Sequence, residues 1–131
     1  MEQRVTEEQL KLLYELVEED HPGAAFSLGI LYLEGTSVEK NEGRAVYYLK
    51  KAALLGHGEA MCTLGEMHEG AAEWEYAKTW YEEATKHQLP VAYYALGQME
   101  ERAENHYEAY SAYYEAMKQD VVEAIFPLWQ Y

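Results

Sequence analysis

AAFSLGILYLEGTSVEKNEGRAVYYLKKAALLGHGEA, residues 24–60, is the stretch on which the fold of this chain turns. Inside it Leu28-Gly29, Tyr32 and Gly35 are followed by Ala45, Tyr48, Ala52-Ala53 and Gly56, and Ala60 begins the pattern again. Ala24, Leu28, Leu31 and Tyr32 share one helical face, and Gly35 ends that run. Gly29 lies within it, where glycine costs about 1 kcal/mol. The expected compensation is close approach of a neighbouring helix. Asn41 is placed to cap a second helix. Its Ala45, Leu49, Ala52 and Ala53 fall three and four apart and make a small, flat face, which Gly56 closes.

The same grammar extends in both directions. Upstream, Thr6-Glu7-Glu8-Gln9 is a capping box ahead of Leu10, Leu13, Tyr14 and Val17, which predicts a helix over residues 6–19. His21-Pro22-Gly23 breaks the chain, and Pro22 suits the first turn of the next helix. Downstream, Ala60, Leu64, Gly65 and Met67 restate the first helix, and Ala77, Trp80, Tyr81 and Ala84 restate the second. Ala92, Leu96, Gly97 and Met99 follow, backed by Ala109, Tyr113 and Ala116, and Ala124 and Leu128 open a fourth copy. A step of 36 residues separates Ala24 from Ala60, and steps of 32 separate Ala60, Ala92 and Ala124. Two helical patterns per copy at this period mean an array of stacked helical hairpins. The expectation is an all-α single domain over residues 1–131 of about eight helices: a leading helix, copies over 24–59, 60–91 and 92–123, and a truncated copy over 124–131. Leu28, Leu64 and Leu96 are its expected core.

Composition bounds what such an array does. The chain has 131 residues, 49% of them hydrophobic, enough for a core and too many for disorder. Thirteen tyrosines suit a thin protein, because a ring is buried while its hydroxyl stays wet. Twenty-four acidic against ten basic residues give a formal charge of −14, which disfavours direct contact with nucleic-acid phosphates or an anionic membrane. It favours a cationic partner. The single cysteine, Cys62, rules out an intramolecular disulfide. The N-terminus has no apolar stretch of the signal-peptide kind and no run approaches a membrane span, so a cytoplasmic location is expected.

Those repeating residues resemble the SEL-like repeat family, a branch of the tetratricopeptide-like hairpins. The first copy carries the pattern at Ala24, Leu28, Gly29, Tyr32, Gly35, Val38, Ala45, Lys51, Ala52, Ala53 and Gly56. Ser37, Asn41 and Arg44 are mild departures. Later copies are shorter by four residues, mainly in the inter-helix loop. His68 and Glu100 replace Tyr32, Gln88 and Asp120 replace Gly56, and Trp129, with Tyr131, is placed to close the array. The resemblance covers roughly residues 24–128. It implies a right-handed superhelical solenoid and a scaffold or adaptor role.

No catalytic constellation emerges. No two of the five histidines lie three or four apart, so they form no helical metal clip. Cys62 and His68, six residues apart, do not share a helix face. Paired carboxylates such as Glu82-Glu83 and Glu100-Glu101 are what a solvated face produces by default. The lone Cys62 does not support transfer of the β-lactam binding linked to cysteine-rich relatives, and Trp74, Trp80 and Trp129 read as packing residues. The expectation is no enzyme, no cofactor and no metal.

What remains is a surface. In arrays of this kind the first helix of each hairpin lines the concave face. Counting from the Leu-Gly leucine places Phe26, Ile30, Leu33 and Glu34 there in the first copy. The second copy supplies Cys62, Glu66, Glu69 and Gly70. Tyr94, Gln98, Glu101 and Arg102 follow in the third, then Phe126 and Gln130. An acidic groove with aromatic anchors suits a protein or peptide carrying hydrophobic and Lys/Arg residues. The competing possibility for Phe26 and Ile30 is burial under the preceding helix. A different class of function fits the same charge: an inhibitor or immunity-type protein that neutralises a cationic enzyme or toxin.

Overall fold

A computed structural model describes residues 5–119, which form seven α-helices and, among those residues, no strand. They are α1 (Glu7–Glu18), α2 (Pro22–Glu34), α3 (Glu42–Leu54), α4 (Gly58–Gly70), α5 (Trp74–Thr85), α6 (Pro90–Arg102) and α7 (His106–Lys118). The expected eighth helix, with Asp120, Ala124, Phe126, Leu128, Trp129, Gln130 and Tyr131, lies outside the described residues. Contacts divide the chain into two units, Met1–Ala60 and Met61–Tyr131, the division falling in the first turn of α4.

In the first unit the helix ends are written locally. Thr6 and Gln9 form the reciprocal capping box of α1. His21, read from sequence as a chain breaker, is the N-cap of α2: its Nδ1 accepts the Ala24 N–H at 3.1 Å. His57 does the same for Ala60 at 3.2 Å. Asn41 caps α3 through the Arg44 N–H. The α2/α3 hairpin closes over Gly29, where an added Cβ would stand 2.7 Å from Cγ of Leu49. That contact is the compensation for a mid-helix glycine. Leu28, Ala45, Leu49 and Ala52 are fully enclosed.

The second unit repeats the device with a different side chain. A Cβ on Gly65 would meet the Tyr81 ring at 2.8 Å, and one on Gly97 would meet Tyr113 at 2.7 Å. Where α3 offers Leu49, α5 and α7 offer tyrosine. Ala77, Tyr81, Ala95 and Met99 form one buried cluster, and Ala109, Tyr113 and Ala116 form another. Leu64 is buried as expected, but Leu96 is only half-buried. It packs against the first cluster and also faces an open cleft between α5, α6 and α7.

Helix termination shows what the shortened loops cost. Gly56 ends α3 in the left-handed region, φ 92°, with its N–H on Ala53 O and the His57 N–H on Ala52 O, a Schellman pair. Ala72 (φ 58°) and Glu104 (φ 61°) make the same pair after α4 and α6, and Gln88 (φ 55°) is left-handed after α5. A side chain in this region costs about 1–2 kcal/mol, partly offset by glycine's larger unfolded-state entropy. Ala72→Gly and Glu104→Gly should therefore each stabilise the protein by about 0.5–1 kcal/mol. Equilibrium denaturation reads this directly, and a lower midpoint in both variants would contradict the assigned helix ends.

Candidate functional site

The residues expected to contact a partner lie on α2 in the first unit and on α4 and α6 in the second. In the first unit Phe26, Ile30 and Leu33 are half-buried on α2 and Glu34 is exposed. Phe26 and Ile30 are not sealed under α1. They line an open cleft of about 550 Å³ beside it, shared with Leu12 and Leu13. The Phe26 ring is stacked on His57, with centroids 4.5 Å apart, which fixes its orientation.

In the second unit the α4 residues separate. Cys62 is buried, 8% exposed. The counting rule that places Phe26 and Tyr94 at a cleft fails here for a reason of length. A cysteine carries one heavy atom past Cβ and ends inside the packed layer, whereas a ring reaches beyond it. Glu66 and Gly70 are exposed. Partial burial raises the Glu66 carboxyl above its ordinary value, and the neighbouring Glu69 charge adds to this. Glu69 is half-buried and accepts a hydrogen bond from the Tyr81 hydroxyl at 3.2 Å.

On α6, Tyr94, Gln98, Glu101 and Arg102 surround one cleft of about 400 Å³, with Tyr113 of α7 as its remaining wall. The Tyr94 and Tyr113 rings lie 5.8 Å apart, and Gln98 donates weakly to the Tyr94 hydroxyl at 3.4 Å. Tyr113 donates to Glu101 at 2.8 Å, the counterpart of Tyr81 to Glu69 one copy earlier. Arg102 turns its guanidinium over the Trp74 ring at 4.6 Å, so Trp74 is an exposed partner of a cation rather than a packing residue. Phe126 and Gln130 lie outside the described residues.

The tyrosines that aim these carboxylates were missed as functional residues. Both short copies have Glu on the first helix and Tyr twelve residues later, a spacing that crosses from one helix to the next and so marks no local contact, where the long copy has Leu33 and, sixteen residues later, Leu49. The leucine pair and the Glu–Tyr pair exchange together, and the hydroxyl of a ring as enclosed as Tyr81 or Tyr113 needs such an acceptor.

Charge elsewhere is held inside the fold. Glu100 is 5% exposed, and its carboxylate accepts from Lys78 at 2.8 Å and Asn105 at 2.7 Å. Burial pushes its pKa up, but those hydrogen bonds and the Lys78 charge outweigh burial and leave it below its ordinary value. In the first unit Tyr14 and Tyr32 share a hydroxyl–hydroxyl contact, and Arg44 donates to Tyr32 at 3.3 Å. Burial first, then Tyr32, pushes Tyr14 up to about 12. Among the described residues no group of three His, Cys, Asp or Glu side chains is placed to hold a metal, and no helix is long and apolar enough to cross a membrane.

Comparison with known proteins agrees with this construction. The Sel1 repeat family profile matches residues 22–57. Over 93% of this chain and 98% of the other, the structure is similar to a Sel1 repeat protein from Oxalobacter formigenes, with a TM-score of 0.84 and 28% identity. It also resembles a protective antigen present in uropathogenic Escherichia coli strains that displays an SLR fold, at TM-score 0.81 and 23% identity. That match covers 92% of this chain and 27% of the antigen, and the likeness is one of fold alone. No curated protein matches in sequence. Proteins built from Sel1 repeats are generally non-catalytic protein-interaction scaffolds.

Proposed function

We propose that this chain, which carries a Sel1 repeat at residues 22–57 and an all-helical Sel1-type fold, is a cytoplasmic protein-binding scaffold for Lys/Arg-containing segments. The observation that carries the reading is the α6 cleft. Tyr113 holds the Glu101 carboxylate at 2.8 Å beside the rings of Tyr94 and Tyr113. A fixed anion next to aromatic faces is attractive to a lysine or arginine side chain, whose charge meets the carboxylate while its stem covers the ring. Glu69, aimed by Tyr81, repeats the carboxylate half of that arrangement on α4. In the first unit the cleft at Phe26 and Ile30 is apolar and suits a hydrophobic residue of the partner.

The two kinds of contact have separable kinetic signatures. Charges in contact with solvent are screened over about 8 Å at physiological salt, so the exposed Glu66 and the half-buried Glu69 and Glu101 act chiefly on encounter. Replacing all three by glutamine should slow association about threefold to tenfold at low salt and less at high salt. Phe26→Ala and Tyr94→Ala should instead speed dissociation at any salt. Surface plasmon resonance against a partner recovered by pull-down measures both rates. Unchanged kinetics in all these variants would remove binding from these residues.

The charge of −14 supports a second reading, an inhibitor or immunity-type protein that occupies a cationic enzyme or toxin. It differs in requiring one dedicated partner whose activity is lost on binding. An activity assay of the captured partner separates the two.

A further inference from the structure

The hairpins treat one position in three ways, and the third leaves a hole. Tyr48 of α3, Trp80 of α5 and Ala112 of α7 are equivalent, each 32 residues after the last. In the first unit the Tyr48 ring lies against Tyr32 of α2, with centroids 5.8 Å apart, and against Tyr14 of α1 at 6.3 Å. It fills the furrow that runs over α2 between α1 and α3. The furrow over α6 between α5 and α7 is built from the equivalent positions, with Glu100 in place of Tyr32 and Glu82 in place of Tyr14. Ala112 supplies no ring. A cleft of about 340 Å³ remains, its floor formed by Tyr93, Leu96 and Ala112. This is the cleft that leaves Leu96 half-exposed.

Its rim is acidic. Glu82, Glu108 and Glu115 border it, along with the buried Glu100. The nearby cations are committed: Lys78 lies 2.8 Å from Glu100 and 4.0 Å from Glu82, and Lys118 lies 3.3 Å from Glu115. Glu108 takes part in no ion pair among the described residues. Four carboxylates against two ammonium groups leave the rim net negative around an apolar floor.

We propose that this cleft receives an aromatic side chain of a partner protein that is flanked by lysine or arginine. The partner's ring takes the place that Tyr48 occupies in the first hairpin, and its cations meet the uncompensated rim charge. The first hairpin shows that a ring fits this position, and the sequence puts another, Trp80, at the equivalent place on α5. The surface is separate from that of Tyr94, Gln98 and Glu101, so it can fail or succeed independently of the reading above. Apolar contact on Leu96 and Tyr93 supplies affinity, and the rim selects the flanking charge.

The test uses the full chain and the peptide acetyl-Lys-Trp-Lys-amide at low salt, followed by tryptophan fluorescence or by amide shifts in NMR. The expected result is saturable binding that perturbs α6 and α7. It should be lost with acetyl-Lys-Ala-Lys-amide and weakened with acetyl-Glu-Trp-Glu-amide. Ala112→Trp places a ring in the cleft, so the variant should bind the first peptide about tenfold more weakly while its thermal midpoint holds or rises. Should that variant unfold, Glu108→Lys reverses one rim charge at an exposed site and should weaken binding by a similar factor. Equal binding by wild type and the folded variant, or equal binding of the alanine peptide, overturns the proposal. So does absence of binding by wild type. Self-association of wild type that Ala112→Trp abolishes would overturn it too, because the occupant would then be a second copy.

Discussion

Tyr81→Ala should destabilise the protein by about 3–5 kcal/mol, the range for emptying a buried aromatic site. Tyr81 is 1% exposed, and its ring covers the flank of α4 at Gly65, a position with no Cβ of its own. Truncation therefore strips the contact surface of two helices at once. Tyr81→Phe keeps the ring and loses only the hydroxyl's bond to Glu69, so it should cost about 1 kcal/mol. Gly65→Ala tests the geometry from the other side. Its Cβ would sit 2.8 Å from the ring, which must move. The same substitution made in Tyr81→Ala no longer meets the ring that supplies its three nearest atoms and should cost much less, a coupling that a double-mutant cycle isolates. A loss below about 1 kcal/mol for Tyr81→Ala would mean that the ring is not the packing element of this hairpin.

Lys78→Met should cost about 3 kcal/mol at neutral pH, the lower end of the range for breaking a buried pair. The lower end applies because the Lys78 side chain is 38% exposed whereas that of Glu100 is 7% exposed, so the cost lies in stranding the carboxylate. The pH dependence follows from the shifts. Glu100 is held below its ordinary pKa in the folded protein, so its contribution is present above the unfolded carboxylate value and is lost as pH falls through the folded one. Lys78 is raised, chiefly by its hydrogen bond to Glu100, so its contribution is present below the unfolded lysine value and is lost as pH rises through the folded one. The difference between wild type and variant should thus be largest from about pH 6 to pH 10 and shrink in acid, where the stranded carboxyl takes up a proton. Urea denaturation across that range measures it. A deficit that is constant down to about pH 3 would show that Glu100 is solvated.

The two predictions fall on interactions between helices that no local pattern marks. Glu100 and Glu101 are adjacent carboxylates, and a helix turns about 100° between them. One is enclosed with Lys78 and the other faces the α6 cleft. A sequence shows two acids; only the position of α5 tells them apart. Tyr81 and Tyr113 were legible as repeats of an inward position, but not as donors to Glu69 and Glu101, because the partners sit on different helices.

Much of the fold is nevertheless local and was readable. The capping box at Thr6, Pro22 in a first turn, Asn41 as a cap and Gly56 as a stop each act within four residues of themselves. Paired Leu-Gly and alanine faces at a fixed period state that helices pack closely, since small residues at that spacing have no other use. The chain by itself therefore determined that it is helical, where its hairpins repeat, and that Gly29, Gly65 and Gly97 each lie under a neighbour. What packing alone decided is which side chains reach solvent. Cys62 is sunk and Tyr94 is not, Leu96 is half-open where Leu28 and Leu64 are closed, and Ala112 leaves a furrow that Tyr48 fills one unit earlier. Those outcomes depend on the length of a side chain relative to the layer around it. That layer is supplied by other helices, whose distance and tilt no local pattern encodes.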